Sequence, residues 1–161
     1  MDWEKLFSMQ KQLDSHIEEK NDVDKNQLFE SKYLALLVEI GELANETRCF
    51  KFWSAKAPSD KDTILEEYVD CLHFIMSLGI EKSYLYESNS DYSSNVSATD
   101  QFNKLFSQCV LFHEKANRTN YLNMFHHFLV LGNALGFDEQ AIIGAYKKKN
   151  DKNYERQEQG Y

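Results

Sequence analysis

A single proline, Pro58, stands in 161 residues, and no stretch alternates apolar and polar side chains as a half-buried strand would. Apolar residues recur instead at three- and four-residue steps, the period of amphipathic helices. Trp3, Leu6, Phe7, Leu13 and Ile17 mark a first helix that fades in the polar run 18–26. A second is predicted over about 26–50, on a stripe of Leu28, Phe29, Tyr33, Leu36, Leu37, Ile40, Leu43 and Ala44. Beyond Pro58, Ser59 or Asp60 caps a third helix that runs through Ile64, Tyr68, Leu72 and Ile75, with Gly79 as its stop signal. Segments 102–113 and 120–135 read as two more, and the Gly136-Phe137-Asp138 turn leads to a last helix starting near residue 139. The serine-rich run 87–100 reads as a mobile surface insert and the polar stretch 147–161 as a tail that a bound ligand orders. The expected fold class is all-α: one compact helical bundle over residues 1–161, since 42% apolar and 14% aromatic residues can bury a core without metal or disulfide staples.

Charge narrows the function classes. Twenty-six acidic against 18 basic side chains leave a net charge of −8, so the chain has no basic face with which to wrap nucleic acid. A polyanionic ligand would need a divalent cation between it and the protein. No apolar run approaches the ~20 residues of a membrane span, and the opening Met1-Asp2-Trp3-Glu4-Lys5 lacks the basic start and apolar run of a signal peptide. Cys49, Cys71 and Cys109 are odd in number and widely spaced, with no Cys-x-x-Cys pair. They are expected to be buried, reduced thiols in a cytoplasmic protein, which makes three Asn-x-Ser/Thr matches accidental.

The unusual residues are carboxylates. Glu39 and Glu42 lie in Leu36-Leu37-Val38-Glu39-Ile40-Gly41-Glu42-Leu43-Ala44, and Glu67 and Asp70 in Leu65-Glu66-Glu67-Tyr68-Val69-Asp70-Cys71-Leu72. Each pair shares one helix face, where like charges repel. A buried carboxylate costs several kcal/mol unless paired or metal-bound. Two such pairs on neighbouring helices would form an acidic pocket for a hard divalent cation, magnesium or manganese, because no Cys or His lies at ligand spacing. Four solvated acids are the alternative. Gly41, costly inside a helix, marks a place where something approaches the backbone. His73 either touches a ligand or is a satisfied core histidine.

Taken together, Glu39-x-x-Glu42 and Glu67-x-x-Asp70 resemble the signature of the all-α nucleotide pyrophosphohydrolases, a superfamily that includes MazG-like enzymes. Longer blocks are similar to the dimeric dUTPases of bacteria and their phages. These are Glu39-Ile-Gly-Glu-Leu-Ala-Asn-Glu-Thr-Arg48, Phe50-Lys-Phe-Trp-Ser54, Leu65-Glu-Glu-Tyr-Val-Asp70 with His73-Phe74, and Tyr146-x-x-Lys149-x-x-x-Asn153-x-x-Arg156-Gln157-x-x-Gly160-Tyr161. The resemblance implies a homodimeric dUTP diphosphatase in the cytosol of a bacterium or a phage-infected host. Such an enzyme hydrolyses dUTP, and dUDP as well, to limit uracil incorporation into DNA. Glu39, Glu42, Glu67 and Asp70 would hold two or more magnesium ions, with manganese able to substitute, and Glu39 or Glu42 would take the proton of the attacking water. Phe74 would stack on uracil, His73 would lie beside the nucleoside, Gln10 would read base or sugar, and Trp53 would wall the pocket. Lys149, Asn153, Arg156 and Tyr161 would contact phosphates or base. Asp14 stands where the family carries Asn. Neither nucleic acid nor membrane is an expected partner, whereas the variable 87–106 region leaves room for a regulatory protein. Two competing readings remain at this point: a pyrophosphohydrolase for dCTP or a modified nucleotide, and a non-enzymatic helical interaction module.

Overall fold

The computed structural model describes residues 1–87, 92–93 and 95–161, and among these it is all helical, without a strand. The helices are α1 (Trp3–Lys20), α2 (Leu28–Thr47), α3 (Lys61–Glu81), α4 (Ala98–Glu114), α5 (Arg118–Ala134) and α6 (Glu139–Glu158). Side chains cap most of the N-termini: Asp2, Asp60, Ser97, Asn117 and Asp138 each accept a hydrogen bond from a backbone N–H three residues on. α2 has no such cap and starts at Leu28, two residues later than the periodicity predicts; it stops at Thr47 because Arg48 turns left-handed, φ 56°. The Arg48 guanidinium then holds the following loop, donating from Nη2 to Ser54 Oγ at 2.6 Å and from Nε to the Lys56 carbonyl at 3.1 Å.

α3 is the axis of the bundle, packed against α1, α2, α5 and α6, while α4 lies along α5 and touches α2. From Tyr68 to Gly79 it is buried on nearly every side, Asp70 and Phe74 being the half-exposed breaks. Its glycine is not a stop signal. The helix continues to Glu81, and Gly79 instead leaves room for the Tyr121 ring, since a Cβ there would collide with the phenol and with the Tyr84 carbonyl. The Tyr121 hydroxyl accordingly reaches the Ile75 carbonyl at 3.1 Å. Gly132 plays the same part for Tyr68, which stacks on Phe128 at 4.3 Å between ring centroids.

Two further expectations need correction. Cys71 and Cys109 are buried thiols, but Cys49 is exposed in the loop after α2. The segment read as a polar tail is helical to Glu158: residues 147–158 hold no helix breaker, and Lys149, Lys152 and Glu158 tie α6 to α3 and α1 through ion pairs. The expected insert 87–100 includes residues 88–91 and 94, which lie outside the described residues. No helix among the described residues is long and apolar enough to cross a membrane.

Candidate active site

Helical spacing puts Glu39 on α2 and Glu67 and Asp70 on the facing turn of α3. One carboxylate oxygen from each lies within 4.8 Å of the others, and all three side chains are half-buried. Close approach of three acids out of bulk water disfavours ionisation. Burial, then the charges of Asp70, Glu42 and Glu67, push Glu39 up to about 7. Burial followed by Asp70 and Glu42 raises Glu67, and burial raises Asp70 against the pull of Lys149. Glu42 lies outside the three-carboxylate set, exposed one turn along α2, yet close enough to act on Glu39 and Glu67. Oxygen-only donors with surplus negative charge fit a hard divalent cation, so the chemistry of the donor set suits magnesium.

Glu39 and Asp70 form one end of a cavity of about 480 Å³ between α1, α2, α3 and α6, which Glu42 and Glu67 do not line. Lys32 and Ser77 lie seven residues from Glu39 and Asp70 along α2 and α3, two turns or about 10 Å deeper. There Asp14 accepts from Ser77 Oγ at 2.7 Å and from Gln10 Nε2 at 2.8 Å. Lys32, also buried, donates to Glu81 at 2.6 Å and Glu18 at 3.2 Å, with Asp14 at 3.8 Å. Lys32, Asp14 and Ser77 as a set escaped the sequence reading. The one of them that the sequence had marked is Asp14, which stands where the family carries Asn.

Between the two ends lie His73 and Phe74. Asp14 fixes the Gln10 amide with its nitrogen toward the carboxylate, so Gln10 Oε1 faces the other way and accepts from Tyr146 Oη at 2.9 Å. The same oxygen lies 2.7 Å from His73 Nδ1, which therefore carries the proton. His73 is neutral, since burial pulls it down to about 3, and it stacks on Tyr146 at 4.3 Å. Its other nitrogen, Nε2, is a buried lone pair with no hydrogen-bond partner among the described residues. An acceptor left bare in a cavity wall waits for a donor.

α6 and the residues after it supply the rim: Lys149, Asn153 and Arg156 of the helix, and Tyr161 beyond its end, line the same cavity. Gly160, φ 73°, turns the last residue back so that the exposed Tyr161 ring sits over the Arg156 guanidinium at 4.8 Å. Gln10, His73, Phe74, Lys149, Asn153, Arg156 and Tyr161 are thus brought together with Glu39 and Asp70. Trp53 is not. It stands in the loop after α2, 64% exposed, edge-on to Phe50 and Phe52, away from the cavity wall.

A family model described as dUTPase matches residues 2–161, nearly the entire chain. Among curated proteins, no significant match to the chain is found.

Proposed function

Because the chain belongs to the dUTPase family, and is on that ground a dUTP diphosphatase, we propose that it is a magnesium enzyme whose ion site is Glu39, Glu67 and Asp70, with Glu42 beside it. The observation that carries this reading is the convergence of three half-buried carboxylates, two of which, Glu39 and Asp70, line one end of a nucleotide-sized cavity. Magnesium bound there supplies neutralisation of the phosphate oxygens and a positioned water, and manganese can replace it. The anhydride between α- and β-phosphate is hydrolysed, giving dUMP and pyrophosphate. Glu39, or Glu42 beside it, is the carboxylate that would take the proton of the attacking water, whichever keeps an oxygen free of the ion. Lys149 and Arg156 bind phosphate oxygens through charge-assisted hydrogen bonds. With the triphosphate at the carboxylate end, the nucleoside falls toward Asp14, Lys32 and Ser77. Phe74 stacks on the base, and His73 Nε2 accepts from a sugar hydroxyl. dUDP, which keeps the scissile anhydride, is a second substrate.

We further propose a homodimer acting in the cytoplasm. Leu34 and Val38 are 62% and 49% exposed along one side of α2, and a Cβ on Gly41 would meet nothing within 4 Å in this chain. The close approach expected at that glycine fits a second copy. Light scattering that returns the mass of one chain would remove this part of the reading.

The catalytic assignment is tested by Asp70→Asn and Glu42→Gln, each of which keeps side-chain size while deleting a charge. Magnesium-dependent pyrophosphate release from dUTP should fall by at least about a hundredfold, with folding intact by circular dichroism. Near-normal turnover at saturating magnesium in either variant would refute its placement at the ion site.

A further inference from the structure

Lys149 has two claimants. Its Nζ lies 2.7 Å from Asp70 Oδ2 and 3.1 Å from Glu66 Oε1, and among the described residues it is the one cation at ion-pair distance from the three-carboxylate cluster. The same ammonium lines the cavity beside Asn153 and Arg156. We propose that Lys149 is a resident counter-ion of the ion site: its ammonium neutralises Asp70 in the free enzyme and passes to the triphosphate when magnesium and nucleotide bind. This rests on the magnesium reading above.

The physical case is one of competition. A magnesium ion demands a carboxylate oxygen at ~2.0–2.1 Å. An ammonium on Oδ2 of Asp70 occupies part of that oxygen's accepting capacity and withdraws charge from the carboxylate, and the two cations would repel each other. Lysine suits the hand-over, because its charge is a compact point on a flexible stem with three rotatable donors. Lys149 is also rooted on α6 rather than on α2 or α3, so it can move without disturbing the carboxylates. Nucleotide that draws the ammonium away uncovers Asp70, and metal that expels it frees a donor for phosphate. Each ligand thereby promotes the other, beyond any direct metal–phosphate bond.

Lys152 is a built-in control. It sits three residues along α6 with the same charge, but pairs with Glu66 at 3.0 Å and not with Asp70. The experiment is calorimetric titration of magnesium chloride into wild type, Lys149→Met and Lys152→Met without nucleotide, then of α,β-imido-dUTP at saturating magnesium. Lys149→Met should bind magnesium about tenfold more tightly than wild type and the analogue about tenfold more weakly, the size of one charge-assisted hydrogen bond. Lys152→Met should stay within about twofold for magnesium, as an exposed pair does. A role in folding alone would weaken both affinities of Lys149→Met, not move them in opposite directions. Unchanged or weaker magnesium binding in Lys149→Met, an equal gain in Lys152→Met, or an unaffected analogue affinity would each overturn the proposal while leaving the ion site standing. Absence of magnesium binding in all three chains would instead remove the magnesium reading itself. Lys149→Gln repeats the titrations with a polar head in place of the methionine if Lys149→Met does not fold.

Discussion

On the proposed magnesium reading Glu39 serves the reaction while its burial costs the fold, and Glu39→Gln should separate the two. In the folded chain without metal, burial and three neighbouring acids raise its pKa from 4.5 to about 7. Folding therefore favours the protonated carboxyl. Below pH ~4.5 the group is neutral in folded and unfolded chains alike and costs nothing. Between pH 4.5 and 7 the unfolded state loses its proton first, and the native state loses stability; above 7 the full penalty is present. At ~1.36 kcal/mol per pH unit, the shift corresponds to at most about 3.4 kcal/mol. The carboxyl faces an open cavity, where water screens it, so about 1–2 kcal/mol is the expected figure. Glu39→Gln in EDTA at pH 8 should then melt on the order of 4 °C above wild type, and the two should coincide at pH 4.5. With magnesium and α,β-imido-dUTP the order should reverse, because wild type alone gains the full ligand stabilisation. Thermal unfolding by circular dichroism at the two pH values decides the matter. A variant no more stable than wild type at pH 8, or one whose advantage persists unchanged at pH 4.5, would refute the reasoning.

Other perturbations probe the frame around the site. Lys32→Met strands Asp14, Glu18 and Glu81 around an empty centre and should cost about 3–5 kcal/mol in urea unfolding; a loss below about 1 kcal/mol would show that the network is screened by water. Gly132→Ala drives a methyl into the Tyr68 phenol and should destabilise by about 1–3 kcal/mol, with partial rescue by Tyr68→Phe; wild-type stability would mean that α5 shifts freely against α3. Tyr161→Ala removes an 80% exposed ring and should change the melting of the free protein by less than about 0.5 kcal/mol while weakening binding of the dUTP analogue in calorimetry. Unaltered analogue affinity would return Tyr161 to the role of a solvated end.

Local chemistry was open to the sequence because it is local. The 3.6-residue period marks the helices, the Asp60 and Asp138 caps mark two of their starts, and carboxylates three residues apart must share a helix face whatever surrounds them. Glu39, Glu67 and Asp70 could be singled out for that reason, and the family match spans them. What depends on the meeting of distant segments was out of reach. Gly79 reads like a helix stop until Tyr121, 42 residues later, is seen to fill the space its missing side chain leaves. The polar run 147–158 has too weak an apolar stripe to show itself as a packed helix, yet its lysines find acids on α3, and ion pairing leaves no periodic mark. Lys32 looked like one charge among many on α2. Only the crossing of α1, α2 and α3 surrounds it with three carboxylates and makes it the floor of the cavity. Periodicity decides which face a residue takes on its own helix; which other residue it meets there is decided by packing, and the site is made of such meetings.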